Sequence, residues 1–171
     1  MKSNIILTGF MATGKTTVGR RLALLLHKNF IDADLEIERV TRLSIPQIFS
    51  LYGEARFRAE EALTLKRLAK LRDVIIATGG GAVLHVSEME ELSCHGYIIC
   101  LTASPETIQA RITERSRRPL LPKNSSIEHI TALMKQREAY YRRADLTVDT
   151  TDLDIEEISQ IIIRFVQEKG G

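Results

Sequence analysis

The chain has 171 residues, a length that suits one domain built around a single core. Hydrophobic residues make up 44% and charged residues 27%, and a net charge of +2 with 5% aromatics and no Trp argues against a nucleic-acid or membrane-surface binder. The longest apolar runs are strand-sized, Met1 is followed by no signal-like segment, and two cysteines make no disulfide framework, so a cytoplasmic protein is expected.

The first apolar run, Asn4–Thr8, predicts a strand and leads into Gly9-Phe-Met-Ala-Thr-Gly14-Lys15-Thr16, which fits G-x-x-x-x-G-K-[ST]. Val18, Leu22, Leu25 and Leu26 follow at helical spacing. Strand, glycine-rich loop and helix in this order form a phosphate site, because loop N–H groups and the positive end of the helix face the same point. Lys15 is expected to reach the β- and γ-phosphates, and the Thr16 hydroxyl to ligate Mg²⁺.

A second strand, Asn29–Asp32, ends in Asp32-Ala-Asp34. One carboxylate there can hold Mg²⁺ through water while the other orients and deprotonates a hydroxyl; either can instead cap the following helix. Ser44 to Gln47 has capping-box spacing, with Pro46 in the first turn. Arg58 opens a helical stretch after Glu54-Ala-Arg-Phe57, and by spacing alone reads as a surface residue.

The apolar run Val74–Thr78 predicts a strand that ends in Gly79-Gly80-Gly81, where positive φ and close approach of a ligand are both open. Tyr97–Thr102 predicts a fourth strand, with Cys100 as a small core residue. Cys94-His95 has no partner pair at metal spacing, so zinc is not expected, and His27, His85, His95 and His129 read as surface or packing residues. Ser104-Pro105 opens a helix. Arg115 to Asn124, basic and with two prolines, reads as a mobile loop of the kind that serves as a lid, and Arg118 lies in it. Ser125 to Glu128 repeats the capping-box spacing ahead of Ile130, Leu133, Met134 and Arg137. Leu146–Val148 predicts the last strand, and Asp154 with Glu157 opens a final helix. Its stripe of Ile155, Ile158, Ile162, Phe165 and Val166 is expected to pack in the core. Alternating strands and helices argue for a single α/β domain over 1–171, with a parallel sheet whose carboxyl ends carry the site.

Taken together these motifs resemble shikimate kinase. The resemblance runs through the phosphate loop, Asp32-x-Asp34, Gly53-Glu54 to Phe57-Arg58 and Glu60-Glu61. It continues through Thr78-Gly-Gly-Gly81, Arg118-Pro-Leu-Leu121, Arg137 with Tyr141, and Ala144-Asp145. It implies a five-stranded parallel sheet of order 2-3-1-4-5, like that of nucleoside monophosphate kinases, with substrate-binding helices at about 33–60 and a lid at about 112–125. It implies transfer of the ATP γ-phosphoryl group to the 3-hydroxyl of shikimate, on the route to chorismate and the aromatic amino acids. By the matched positions, Asp34 contacts the shikimate hydroxyls and acts as base. Arg58 and Arg137 clamp the carboxylate, and Gly79, Gly80 and Gly81 line the same pocket. Ala12, Thr13, Gly14, Lys15, Thr16 and Thr17 hold the nucleotide, Asp32 and Thr16 serve Mg²⁺, Arg118 reaches the ATP phosphates, and Arg111 lies against the adenine. A monomer is expected.

The phosphate loop departs from the family pattern. Ala12 and Thr13 stand where the family usually has Gly and then Ala or Ser, and Thr16 replaces Ser. Thr keeps the hydroxyl, and position 12 is expected not to need positive φ. The competing readings are another small-molecule kinase of the same fold, such as a gluconate or nucleoside monophosphate kinase, and a nucleotide-binding regulatory module without turnover.

Overall fold

A computed structural model describes residues 2–115 and 125–170, the side chains of 113–115 aside. Strand β1 (Asn4–Thr8) runs into the phosphate loop and helix α1 (Lys15–Leu26). Then come β2 (Asn29–Asp32), α2 (Ala33–Thr41), α3 (Ile45–Leu68) and β3 (Val74–Ala77). A short 3₁₀ turn (Ala82–Leu84) precedes α4 (Val86–His95) and β4 (Gly96–Thr102). The chain closes with α5 (Pro105–Arg115), α6 (Ile127–Tyr141), β5 (Leu146–Asp149) and α7 (Ile155–Gly170). The five strands form one parallel sheet in the order β2-β3-β1-β4-β5. All the expected strands are present, with ends moved by one residue at most.

The period-two alternation of the strands divides the core. Ile5, Leu7, Ile75, Ile99 and Leu101 face α1 and α7, where Val18, Leu22, Ile158 and Ile162 meet them. Ile6, Ile76 and Ile98 face the other way, onto Leu65 and Leu68 of α3 and Leu92 of α4. Both faces are therefore covered, which is why β1, β3 and β4 read as unbroken apolar runs. A third cluster seats the phosphate loop: Phe10 and Met11 pack on Ile108 and Ile112 of α5 and Ile130 of α6. A fourth joins α2 to α3 through Ile37, Ile48 and Phe57.

Local signals set the helix ends. Ser44 and Gln47 close the expected capping box on α3. Asp154 and Glu157 exchange the same pair of bonds at the start of α7. At α6 the cap falls one residue later than expected: Ser126, not Ser125, accepts from the His129 N–H, and Ser125 is buried. Ile155, expected in the core, is instead 43% exposed, because α7 begins at the wall of a cavity that Ala12 to Val18 also line. The final turn of α5 takes up 112–115, the start of the expected lid, and positions 116–124 lie outside the described residues. The long α3 is broken by Gly53 at φ 81° and ψ 176°. Among the described residues no helix is long and apolar enough to cross a membrane.

Asp145 locks the entry to β5. Its N–H donates to the Ile98 carbonyl at 2.8 Å, and its Oδ2 accepts the Ile98 N–H at 2.8 Å. Asp145→Ala leaves that strand N–H without its acceptor. The expected loss is about 1–2 kcal/mol of unfolding free energy, read from urea melts; an unchanged midpoint would contradict the assignment.

Candidate active site

The phosphate loop is held from below by its own lysine. Lys15 is the first residue of α1 and only 8% exposed, and its Nζ donates to the carbonyls of Gly9 at 2.8 Å and Phe10 at 2.7 Å. Thr13 Oγ1 donates to the Phe10 carbonyl at 2.8 Å. The N-cap of α1 is Gly14, left-handed at φ 99°, with no side-chain cap and no acid in the first turn. Helix N–H groups left without a side-chain acceptor are what an anion requires.

The expectation for Ala12 fails. Its φ is +60°, in the left-handed region where an L residue costs about 1–2 kcal/mol. The loop turns there whether or not the residue is glycine. The Arg111 guanidinium, reaching across from α5, donates to the Ala12 carbonyl at 3.1 Å and to the Thr150 carbonyl at 3.1 Å, with the Thr150 hydroxyl at 3.2 Å. That hydroxyl also lies 2.9 Å from the Thr102 carbonyl and 3.2 Å from that of Thr13. Arg111 and Thr150 thus tie the turn at Ala12 to the ends of β4 and β5.

Asp32 serves two structures at once. Its Oδ1 caps α2, accepting from the N–H of Asp34 at 3.0 Å and Leu35 at 3.4 Å, while its Oδ2 accepts the Thr16 hydroxyl at 2.8 Å. The capping and metal readings of this residue are therefore compatible. A hydroxyl and a carboxylate side by side at the phosphate loop are hard oxygen donors of the kind Mg²⁺ takes alongside phosphate. Among the described residues no cluster of three or more His, Cys, Asp or Glu offers an all-protein cage.

Two cavities open at this end of the sheet. One, of about 470 Å³, is lined by Ala12 to Val18, Arg111, Thr150, Leu153 and Ile155. The other, of about 410 Å³, is lined by Arg58, Glu61, Gly79, Gly80, Gly81 and Arg137 with Ile45, Phe49 and Phe57. They share Met11, Thr16, Asp32 and Asp34.

The triglycine segment is where the second cavity is organised. None of its three residues has positive φ, so that part of the sequence reading is corrected. Close approach is the reason for glycine, and what approaches is the protein itself. A Cβ on Gly81 would sit 2.2 Å from Arg58 Nη1, and one on Gly79 would sit 2.7 Å from Asp34 Oδ1 and 2.8 Å from Glu61 Oε1. The Gly80 carbonyl accepts from Arg137 Nη1 at 3.0 Å and from the Tyr141 hydroxyl at 2.8 Å. Arg58, which sequence spacing assigned to the surface, and Arg137 therefore converge on neighbouring glycines.

Arg58 is held by Glu61 Oε2 at 2.8 Å and by Glu54 at 3.1 Å. Burial works against its charge, but the hydrogen bonds and charges of Glu61 and Glu54 outweigh that and raise its pKa further. Burial pushes the Tyr141 phenol up to about 12, with Arg137 opposing, so it stays a donor to Gly80 at any ordinary pH. The sequence reading gave Glu61 and Tyr141 no role. Their spacing held the signal: Glu61 is three residues after Arg58 and Tyr141 four after Arg137, each pair on one helix face. Thr17 lines the first cavity; Arg118 lies outside the described residues.

A phosphate loop opening onto one cavity, and a carboxylate at the mouth of a second, divide donor from acceptor and define a P-loop kinase of small molecules. Comparison with known proteins narrows the class. A family model described as shikimate kinase matches residues 11–167. A shikimate kinase of Pelotomaculum thermopropionicum is 46% identical over 165 residues, covering 96% of each chain. A shikimate kinase of Acinetobacter baumannii, solved in complex with shikimate, superposes with a TM-score of 0.92 at 36% identity, over 99% of this chain and 95% of that one. One from Aquifex aeolicus gives 0.85 at 33% identity, over 98% of both. The chain belongs to the shikimate kinase family.

The strain at Ala12 is measurable. Ala12→Gly removes a left-handed L residue but gives the unfolded chain more freedom, so a net gain of about 0.5 kcal/mol is expected. A rise of about 1–2 °C in Tm by calorimetry would match it; a fall would show that the turn carries no strain.

Proposed function

We propose that the chain transfers the γ-phosphoryl group of ATP to the 3-hydroxyl of shikimate, giving shikimate 3-phosphate and ADP. The observation that carries this reading is the pair of arginines, Arg58 and Arg137, drawn to one short segment beside Asp34. Two guanidinium groups facing a small cavity suit a carboxylate, and a carboxylate base at its mouth suits a hydroxyl. Gluconate and nucleoside monophosphate kinases share the fold, but family membership favours shikimate as acceptor over both. The same membership favours a turning-over enzyme over a nucleotide-binding module.

In this reading the donor site belongs to Ala12, Thr13, Gly14, Lys15, Thr16 and Thr17. Lys15, fixed by two carbonyls, presents a positive charge that needs no reorganisation as charge develops on the transferring group. Thr16 and Asp32 would hold Mg²⁺, which neutralises phosphate charge when bound. Arg111 stands at the nucleotide's base, and Arg118 is assigned to the phosphates. The acceptor oxygen attacks the γ-phosphorus as the bond to the ADP oxygen breaks, and the hydroxyl proton passes to Asp34. Arg58, Arg137 and the backbone of Gly79–Gly81 orient the acceptor, so catalysis is chiefly placement and charge stabilisation. The enzyme is read as a cytoplasmic monomer acting on small molecules.

An ADP-release assay with ATP and Mg²⁺ against shikimate, gluconate and nucleoside monophosphates tests the substrate. ADP release only with shikimate is expected; turnover of gluconate or a nucleotide with shikimate inert overturns the reading. Lys15→Ala should lower kcat by about a hundredfold or more, and an unchanged kcat removes Lys15 from the mechanism. Arg137→Ala should raise the KM for shikimate by about tenfold or more. If only the KM for ATP moves, the carboxylate clamp is misassigned.

A further inference from the structure

We propose that His85 is a positioning residue of the acceptor site, acting through Glu61 to keep Arg58 available to the substrate carboxylate; the proposal rests on Arg58 being part of that clamp. His85 ends the 3₁₀ turn that follows the triglycine segment and precedes α4. Its Nε2 lies 2.9 Å from Glu61 Oε2, with 16% of the imidazole side chain exposed and 2% of the Glu61 side chain. The same oxygen accepts from Arg58 Nη1 at 2.8 Å. The other oxygen, Oε1, is buried with no hydrogen-bond partner among the described residues and faces Gly79.

This arrangement is unequal in an informative way. A carboxylate beside an arginine ordinarily takes the forked pair, one oxygen to each N–H. Glu61 does not, because both donors converge on Oε2. Since Oε2 already accepts from the guanidinium, the proton of the second contact is assigned to His85 Nε2, which donates to the same oxygen. His85 therefore gives Glu61 Oε2 a second anchor, and Glu61 meets Arg58 through one N–H only. The remaining Arg58 donors are the exposed contact to Glu54 and the edge against Gly81.

Without the imidazole donor, Glu61 can turn toward Arg58 and use both oxygens. A forked internal pair takes up the planar edge that a substrate carboxylate needs, and draws the guanidinium from Gly81. The loss falls on acceptor binding, since Lys15 and Arg111 line only the other cavity.

The test measures KM for shikimate, KM for ATP and kcat in His85→Phe, His85→Gln, Arg58→Ala and the Arg58→Ala/His85→Phe double variant. Phe fills the imidazole's space with no donor, and Gln restores an N–H at similar reach. His85→Phe should raise the KM for shikimate by about fivefold or more, with the KM for ATP within about twofold, and His85→Gln should recover most of it. In the Arg58→Ala background, His85→Phe should add nothing. A flat KM for shikimate in His85→Phe, a parallel rise in both KM values, no recovery with Gln, or full additivity overturns the proposal. Arg58→Ala separates the two claims. If it leaves the KM for shikimate unchanged, the clamp falls and the proposal with it; if it raises that KM while His85→Phe does not, only His85 is wrong. Should His85→Phe fail to fold, His85→Ala carries the same expectations.

Discussion

At the end of β3 the backbone runs for three residues without a side chain, and charged groups from three helices occupy the space left. Arg58 and Glu61 arrive from α3, Asp34 from α2 and Arg137 from α6. Arg58, Glu61 and Asp34 lie so near the glycine backbone that a methyl group at 79 or 81 would overlap them. Burying charge is costly unless each group is paired and hydrogen-bonded, and here the pairing is internal: Arg58 with Glu61, and Arg137 with the Gly80 carbonyl. The cavity beside the triglycine segment is thus preorganised by protein contacts alone. That is the condition under which electrostatic stabilisation is most effective.

The donor side is held by different means. There the backbone itself is the ligand surface, and side chains keep it in shape from behind. Lys15 closes the loop onto its own carbonyls, while Arg111 and Thr150 brace the turn at Ala12 against β4 and β5. A left-handed alanine persists only where its surroundings over-determine it, and that brace is the visible reason here. Met11, Thr16, Asp32 and Asp34 are common to both cavities, so the transferred group need cross no further than the boundary they form.

Much of this was legible in the residues, for reasons that differ by level. β1, β3 and β4 were readable because both faces of the sheet are covered, which demands apolar residues at every position. The caps at Ser44 and Asp154 were readable because a hydroxyl or carboxylate three residues ahead of Gln or Glu satisfies helix donors locally. At α6 two serines stand together, and the local pattern chose the wrong one; tertiary contact buries Ser125 and leaves Ser126 to cap. Ala12 misled for the opposite reason, since side-chain identity suggested a conformation that the geometry of the loop overrides. The convergence of Arg58 and Arg137 could not be read from spacing, because 78 residues and the sheet topology lie between them. Resemblance carried that part, and the structure supplied Glu61 on Arg58 and Tyr141 beside Arg137 on the Gly80 carbonyl.

The break at Gly53 has an electrostatic side. A single helix from Ile45 to Leu68 would have put Glu54 and Arg58 near its middle, where the helix dipole has little to offer either. A φ of 81° with ψ of 176° interrupts the hydrogen-bond ladder and begins a second helical segment. Glu54 then falls in a first turn, where the partial positive charge of a helix start favours an acid. One turn further on, Arg58 leans back on it. One glycine, with no neighbouring atom within 4 Å of where its Cβ would stand, so converts a run of ordinary helix into a polarised support for Arg58.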